Sequence, residues 1–274
     1  MPGTPAPFSV IVPVHNEASR LGETALALMD GLPEDWELIF VCNGCTDGSE
    51  TILERIAGRR AIILTAPRGK AVAIREGEAR ARFASRFYVD SDVLIHGADL
   101  ARLATCLTAP VELVSPRMVF DLAGVGPQMR RVLMVWLSLP HAQGAAYHHV
   151  LGVSAAGRAR WGEFPDLLAD DAFIESRIPD GRKRVVPDVV VTVRPPRSMT
   201  AWLGVRARWH DGHGQMRAMG YAPPHAPGQY RAIAQTLHTP SQWVNVLLYV
   251  GSVLAARLLS ALPRRGWYRD ETSR

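Results

Sequence analysis

Apolar residues in the first hundred positions follow two alternating patterns. Four short runs, rich in β-branched residues, are apolar at nearly every position: 8–14, 37–43, 61–66 and 86–90. Such runs are typical of strands that are buried on both faces of a parallel sheet. The intervening segments carry apolar residues or alanines at helical spacing, which predicts helices over about 21–32, 50–57 and 70–83. The repeated strand–helix order predicts an α/β fold with a doubly wound, mostly parallel central sheet.

Every strand predicted in this region is followed by polar residues. These polar stretches are residues 15–17, 43–47, 67–70 and 90–92. Ligands of open α/β sheets bind at the carboxyl ends of the strands, close to the point where the strand order reverses. We therefore expect the four stretches to line one site.

Beyond about residue 110 the pattern is less regular. Short strands and helices are predicted up to about residue 195, and a stretch rich in proline, glycine, histidine and tryptophan continues to about residue 240. Such composition is typical of irregular segments that wrap around a site. We expect a single domain over 1–240, with a regular half (8–110) and an irregular half (111–240), followed by a separate segment, 241–274.

The final segment contains the longest apolar stretch of the chain, residues 243–262. Arg257 interrupts it, and its polar residues fall on one helical stripe: Asn245, Tyr249, Ser252 and Ser260. This pattern predicts an amphipathic helix rather than a membrane-spanning one, followed by a basic tail. Packing in the protein core is the preferred interpretation, and peripheral attachment to the inner face of a membrane, assisted by the flanking arginines, is the alternative.

Composition and charge exclude several classes of protein. The net charge is +5, from 31 basic and 26 acidic residues among 274. This diffuse excess suits small molecules that carry phosphate, or an anionic membrane, whereas no pattern typical of nucleic-acid binding is present. The 3 cysteines do not suggest a disulfide framework, and the first residues do not resemble a signal peptide, so a cytoplasmic protein is expected.

Two carboxylates, Asp90 and Asp92, stand one residue apart at the end of a strand predicted to be central. Like charges so placed repel each other and resist burial unless a cation compensates them. A divalent metal, held by carboxylate oxygens and by the phosphates of a ligand, supplies that cation. The alternative is a turn with helix-capping acids, which is a common use of the same pattern.

Six short stretches occur in an order that resembles family 2 glycosyltransferases with the GT-A fold. They are VIVPVHNEASRL from residue 10, VCNGCTDGSE from 41, GKAVAIREG from 69, VDSD from 89, LADDAF from 168 and RARWHDG from 206. The resemblance depends on their joint order, because no single stretch is specific. It implies an inverting enzyme with a Rossmann-like half (8–110) for a nucleoside-diphosphate sugar, an acceptor half (111–240), and Mn²⁺ or Mg²⁺ as cofactor.

The resemblance also implies roles for particular residues. Contacts with the nucleotide sugar are expected from Pro13, His15, Glu17, Asn43, Lys70, Asp90, Ser91, Arg206 and Arg208. Asp92 and Asp90 are expected to hold the metal, and His213 to complete the metal shell. The family's usual base is uridine, so a UDP-sugar is the expected donor. The acceptor is left open between a glycan, a lipid-linked molecule and a small molecule.

Asp170 and Asp171 match the acidic pair that supplies the catalytic base in this family. Adjacent acids repel each other, so the pKa of one is raised and it can accept a proton from an acceptor hydroxyl near neutral pH. We assign the base to Asp171, and to Asp170 the orientation of the base or the acceptor. The alternative is that one of the two only stabilises the N-terminus of a helix.

Three positions depart from the family pattern. Asn43 stands where an acid is usual, and Ala71 follows the lysine where a glycine is usual. Val205 stands where a glutamine or arginine often begins the Q-x-x-R-W signature. The last departure, together with the lack of convincing membrane spans, argues against a processive polysaccharide synthase.

Two other functions compete with this interpretation. Cys42 and Cys45 form a C-x-x-C motif at a strand end, which is compatible with a thioredoxin-like redox protein. A sugar-phosphate nucleotidyltransferase also combines an α/β sheet with acids and a metal, but the glycine-rich loop expected after its first strand is absent.

Overall fold

Seven strands form one sheet in the computed structural model, which describes residues 6–139, 148–224 and 242–261. In chain order the strands are β1 (Ser9–Val14), β2 (Glu37–Asn43), β3 (Ile62–Ala66), β4 (Arg86–Val89), β5 (Leu113–Phe120), β6 (Val150–Val153) and β7 (Lys183–Val193). Their order across the sheet is β3-β2-β1-β4-β6-β5-β7.

The first four strands are parallel, and β6 runs antiparallel to its neighbours β4 and β5. The order reverses at β1, which lies between β2 and β4, so the topological switch is between β1 and β4. Every residue of β1 and β2 is buried, as expected for strands with both faces covered. The predicted fold class, an α/β fold with a mostly parallel central sheet, is therefore confirmed.

Three helices connect the four parallel strands, α1 (Leu21–Met29), α2 (Ser49–Ala57) and α3 (Lys70–Arg80), and α4 (Gly97–Thr105) follows β4. Helix α3 packs against β1 and β2, and Gly77 makes the close approach possible. A Cβ atom at Gly77 would lie 2.5 Å from Cγ2 of Ile11. This tight packing fixes the first residue of α3, Lys70, relative to the ends of the strands.

The contacts between residues divide the chain into two compact units. The first contains Met1–Arg117 and Tyr147–Val191, and the second contains Met118–Ala146 and Thr192–Arg274. Besides α1–α4, the first unit includes the short helix α6 (Ala155–Arg158) and α7 (Asp170–Arg177). The functional halves 8–110 and 111–240 stay a prediction, because they describe ligand binding rather than packing.

The second unit is built on three helices: α5 (Pro127–Leu137), α8 (Met199–Ala218) and α9 (Trp243–Ala261). Helix α9 packs against both of the others, around a core that includes Trp136, Trp202 and Tyr249. Trp136 meets Trp202 edge to face, with ring centroids 5.7 Å apart. Large aromatic side chains thus hold this unit together.

Helix α9 is the one helix in the described part of the chain that is long and apolar enough to cross a membrane, with a mean hydropathy of 1.7. Only 28% of its apolar window is buried. The buried side carries the polar stripe, including Asn245 and Ser252, whereas Leu247 and Leu258 are each 71% exposed. One side of the helix therefore packs in the core of this unit, as the preferred interpretation of residues 243–262 expects, and the opposite, apolar side is left exposed.

One strand position tests how tightly the sheet is packed. A Cβ atom at Gly152, in β6, would lie 2.4 Å from Cε1 of Phe87 and 2.8 Å from Cγ2 of Val114. We expect Gly152→Ala to lower the free energy of unfolding by about 1–3 kcal/mol in urea denaturation, because the neighbouring side chains must shift. Gly181→Ala, at an exposed position with no neighbour within 4 Å, is the control. Equal stability of the two variants would contradict the packing described here.

Candidate active site

One ammonium group joins two pairs of carboxylates that come from separate segments. Asp90 and Asp92 follow β4, and Asp170 and Asp171 are the first two residues of α7. The Nζ atom of Lys70 lies 2.7 Å from Oδ1 of Asp90 and 2.8 Å from Oδ2 of Asp170. The lysine therefore joins the end of β4 to the start of α7, and the two predicted acidic motifs belong to one site.

Two adjacent histidines complete the group. Nδ1 of His149 lies 2.8 Å from Oδ2 of Asp90, and Nδ1 of His148 lies 2.8 Å from Oδ2 of Asp171. They are placed there because they precede β6, which pairs with β4 so that Val150 is opposite Val89. Neither histidine is among the residues predicted from the sequence. An adjacent pair of histidines before a predicted strand was the only local signal, and it does not reveal which strand is the neighbour.

The backbone at His149 adopts a strained conformation. Its φ is 57°, and the N–H of Val150 donates to the carbonyl of His148, which is a γ-turn of the rare positive-φ form. The carbonyl of His149 accepts a hydrogen bond of 2.8 Å from the N–H of Asp90. Strain of this kind is concentrated at functional sites, where the surrounding structure maintains it.

The charges of this group shift the pKa values of its members. Burial acts to lower the pKa of Lys70, but the charges of Asp170 and Asp90 outweigh it and raise the pKa above its ordinary value. Burial acts to raise the pKa of Asp90, and the charge of Lys70 with the hydrogen bond from His149 brings it well below the usual range. Lys70 and Asp90 are therefore both charged at neutral pH.

The two acids of α7 differ in their environments. Burial raises the pKa of Asp170, with the charges of Asp171 and Asp90 adding to the effect and Lys70 opposing it. Burial also acts to raise the pKa of Asp171, but the hydrogen bond and charge of His148 outweigh it, and the net pKa is well below the ordinary value. The raised pKa expected for the catalytic base is therefore found on Asp170, whereas the pKa of Asp171, to which the base is assigned, is lowered.

Asp90, Asp92 and His149 could hold a metal ion. One ligand atom from each lies within 4.8 Å of the other two. Carboxylate oxygens with one imidazole nitrogen form a donor set that suits Mn²⁺. The residues therefore fit the divalent metal that the sequence implied, with His149 as a ligand that the sequence did not indicate. His213 lies on α8 in the second unit, and its expected role as a ligand stays a prediction.

Most of the residues expected to contact the nucleotide lie at or just after the carboxyl ends of β1, β2 and β4. The amide of Asn43 holds three segments together, since Nδ2 donates to the carbonyl of Val14 and Oδ1 accepts from the N–H of Gly69. The ring of His15 lies with Nδ1 2.6 Å from the carbonyl oxygen of Asn43. Pro13 is in β1, and Glu17, Ser91 and Asn43 are buried. Contact between these residues and a nucleotide stays a prediction.

Arg206 and Arg208, expected to contact the diphosphate, both lie on α8 in the second unit. The guanidinium carbon of Arg206 is 5.5 Å from the ring centroids of Trp202 and Trp209 and 5.9 Å from that of Tyr249. This is a cation–π cage, and burial within it lowers the pKa of Arg206. Their phosphate-binding role also stays a prediction.

The model of glycosyl transferase family 2 matches residues 9–159, which is more than half of the chain. The chain belongs to this family. No curated protein sequence matches this glycosyltransferase. The family match makes the thioredoxin-like alternative untenable, and the site agrees, because burial raises the pKa of the Cys42 thiol, whereas a redox thiol needs a lowered pKa.

Several solved structures share the fold of this glycosyltransferase. The mannosyltransferase PcManGT from Pyrobaculum calidifontis, in complex with GDP-Man and Mn²⁺, has a TM-score of 0.62 and 24% identity, over 96% of this chain and 78% of that one. Residues 1–349 of TarS from S. aureus have a TM-score of 0.51 and 16% identity, over 92% of each chain. At these identities the likeness establishes the fold alone.

The newly found histidine provides a test of the metal site. We expect His149→Gln to weaken Mn²⁺ binding by at least about tenfold, since even groups that only support a metal ligand contribute that much. Calorimetric titration of the protein with MnCl₂ measures the change. His148→Gln is the matched control, because His148 hydrogen-bonds to Asp171 and is not one of the three candidate ligands. Equal affinities for Mn²⁺ in the two variants would remove His149 from the metal site.

Proposed function

We propose that this glycosyltransferase is metal-dependent and inverting, and that it transfers a sugar from a nucleoside-diphosphate sugar to an acceptor hydroxyl. The observation that carries the proposal is the placement of Asp90, Asp92 and His149 next to the acidic pair of α7, with Lys70 between them. A metal-binding group and a candidate base thus face one site, at the carboxyl end of β4. The fold relative PcManGT has GDP-Man and Mn²⁺ bound, which supports the same donor and cofactor classes here.

The proposed role of the metal-binding residues is to assist the departure of the nucleoside diphosphate. When bound, a divalent metal would neutralise the negative charge that develops on the leaving diphosphate. Asp92, Asp90 and His149 would hold it. Asp92 is exposed, so it can reach a ligand without disturbing the core. Lys70, whose high pKa keeps it charged, adds a fixed positive charge for phosphate oxygens.

Asp171 is the better candidate for the catalytic base. Oδ2 of Asp170 is 2.8 Å from the ammonium of Lys70, and this ion pair commits Asp170 to holding the lysine, even though burial raises its pKa. Asp171 is ionised at neutral pH, and its hydrogen bonds with His148 and with the N–H of Ala172 fix its orientation. The proposed roles are therefore proton acceptance for Asp171 and orientation for Asp170 and His148.

An inverting displacement follows from these roles. The acceptor hydroxyl loses its proton to Asp171 while its oxygen attacks the anomeric carbon, and the nucleoside diphosphate leaves from the opposite face. No covalent enzyme intermediate is required. A sugar-phosphate nucleotidyltransferase is the weaker alternative, because it needs no base for an acceptor hydroxyl and does not explain the acidic pair.

The donor and acceptor are assigned only by class. A UDP-sugar stays the expected donor, although the fold relatives differ in their nucleotides: PcManGT is in complex with GDP-Man, and a further TarS structure, with a TM-score of 0.50, is in complex with UDP. A glycan, a lipid-linked molecule and a small molecule remain the acceptor classes. We expect the enzyme to act in the cytoplasm, where nucleotide sugars are available.

Two substitutions separate metal binding from proton transfer. Asp92→Asn removes a charged metal ligand, so Mn²⁺-dependent binding of the nucleoside diphosphate and sugar transfer should both fall. Asp171→Asn preserves the shape of the site but cannot accept a proton. Nucleotide binding should therefore survive while transfer drops by about 10²–10⁴-fold, the usual contribution of a positioned base. Calorimetry with UDP and GDP, with and without Mn²⁺, and a transfer assay measure the two quantities.

Each variant is a control for the other, because both replace an aspartate of the same site by its isosteric amide. Normal turnover of Asp171→Asn would place the base elsewhere, with Asp170 as the next candidate. Unchanged binding of nucleotide and Mn²⁺ by Asp92→Asn would mean that Asp90 and Asp92 only form a turn and do not bind a metal. If neither nucleotide binds the wild-type enzyme in the presence of Mn²⁺, a donor carrying either base is excluded.

A further inference from the structure

Helix α9 presents a continuous apolar face to the outside of the second unit. The exposed side chains recur at helical spacing, and the most exposed are Val244, Leu247, Leu254 and Leu258. Their exposed fractions are 50%, 71%, 54% and 71%. No charged residue occurs in α9 before Arg257. Water-exposed helices of globular proteins show the reverse arrangement, with the polar side outward.

The inward side of α9 carries its polar residues together with Val246 and Ala256. Asn245, Tyr249 and Ser252 are buried against the other helices of the unit. The indole N–H of Trp202, on α8, donates a hydrogen bond of 3.0 Å to Oγ of Ser252, which itself donates to the carbonyl of Tyr249. Hydrogen bonds between helices, with apolar side chains facing outward, are the pattern of helices that contact lipid. These hydrogen bonds therefore help to fix which side of α9 faces the other helices of the unit.

Positive charge accompanies the apolar face. Arg206, His210, His213 and Arg217 recur at helical spacing along α8, and Arg257 of α9 acts electrostatically on Arg206 and His210. Burial, with these positive neighbours, lowers the pKa of His210 to about 4, so His210 is neutral at pH 7 and the positive charge here belongs to the arginines. The chain that follows α9 adds Arg264, Arg265 and Arg269. Arginines beside an apolar face complement a lipid bilayer, which has an apolar interior and anionic headgroups.

We infer that α9 docks this glycosyltransferase on an anionic lipid bilayer, with its apolar face in the interfacial layer and the arginines at the level of the headgroups. Two identical copies meeting through this face would bring the exposed Arg257 of each against a helix that has no acidic residue to pair with it, which opposes a dimer. Anionic lipid instead neutralises these charges. This inference goes beyond the proposed transfer reaction, and it favours a lipid-linked molecule among the acceptor classes.

The helix lies in the interface rather than spanning the bilayer. Its 19 residues would extend about 28 Å, which is close to the thickness of a hydrocarbon core of about 30 Å, so length alone allows either arrangement. However, α8 packs along α9 and carries Arg206, Arg208, Asp211 and Arg217. Charged side chains are strongly disfavoured at the bilayer centre, so α9 cannot insert while it remains packed against α8.

Flotation of the 274-residue chain with lipid vesicles tests this inference. We expect it to float with phosphatidylcholine vesicles that contain phosphatidylglycerol, and at least about tenfold less with phosphatidylcholine alone. The double variant Leu247→Glu/Leu254→Glu should lose flotation by a similar factor. Leu26→Glu is the matched control, because Leu26 is 56% exposed on α1, in the first unit, and should float as the wild type does. High salt or carbonate should release the bound protein.

Thermal unfolding and nucleotide binding, measured on each variant, confirm that the substitutions leave the rest of the molecule intact. A second variant, Arg257→Glu, keeps the apolar face and should weaken binding to anionic vesicles specifically. Three results would overturn the inference. They are the absence of wild-type flotation on anionic vesicles, a dimer in light scattering that Leu247→Glu/Leu254→Glu dissociates without lipid, and a bound protein that only detergent extracts.

Discussion

The ammonium of Lys70, placed between Asp90 and Asp170, is the interaction on which the site depends. Four carboxylates brought together from the end of β4 and the start of α7 would repel one another strongly without compensating cations. Lys70 reaches both segments because it opens α3, which is packed tightly beneath β1 through Gly77. The position of a charged group thus follows from the packing of an apolar sheet. The residual negative charge around Asp92 is what a divalent cation would neutralise.

Much of the nucleotide-binding half could be predicted because its signals are local. Buried parallel strands appear in the sequence as short apolar runs, and the runs at 8–14 and 37–43 agree with β1 and β2 to within one residue. The helix predicted over 70–83 is α3, which ends at Arg80. Polar residues after such strands must meet at one edge of the sheet, so the acids after β4 could be assigned to a site without a structure.

Other features depend on contacts between distant segments. The histidines before β6 reach Asp90 and Asp171 only because an antiparallel strand inserts next to β4, and nothing near residue 148 indicates that neighbour. The orientation of α9 is a second case. Its sequence shows one polar and one apolar face, but which face turns inward is decided by Trp202 and the other residues of α5 and α8 that pack against it. The spacing of apolar residues in a sequence shows that a helix has an apolar face, but it does not show what that face packs against.

The proposed reaction requires this group of charges to bind a divalent metal together with a nucleoside diphosphate. Pulsed electron paramagnetic resonance of Mn²⁺ in the wild-type enzyme with bound nucleoside diphosphate tests this requirement most directly, because it identifies the nuclei next to the metal. We expect one signal from a directly coordinated nitrogen, which His149→Gln abolishes, and a second signal from phosphorus. A spectrum that shows only water around Mn²⁺, or a nitrogen signal that survives in His149→Gln, would contradict the metal site described here.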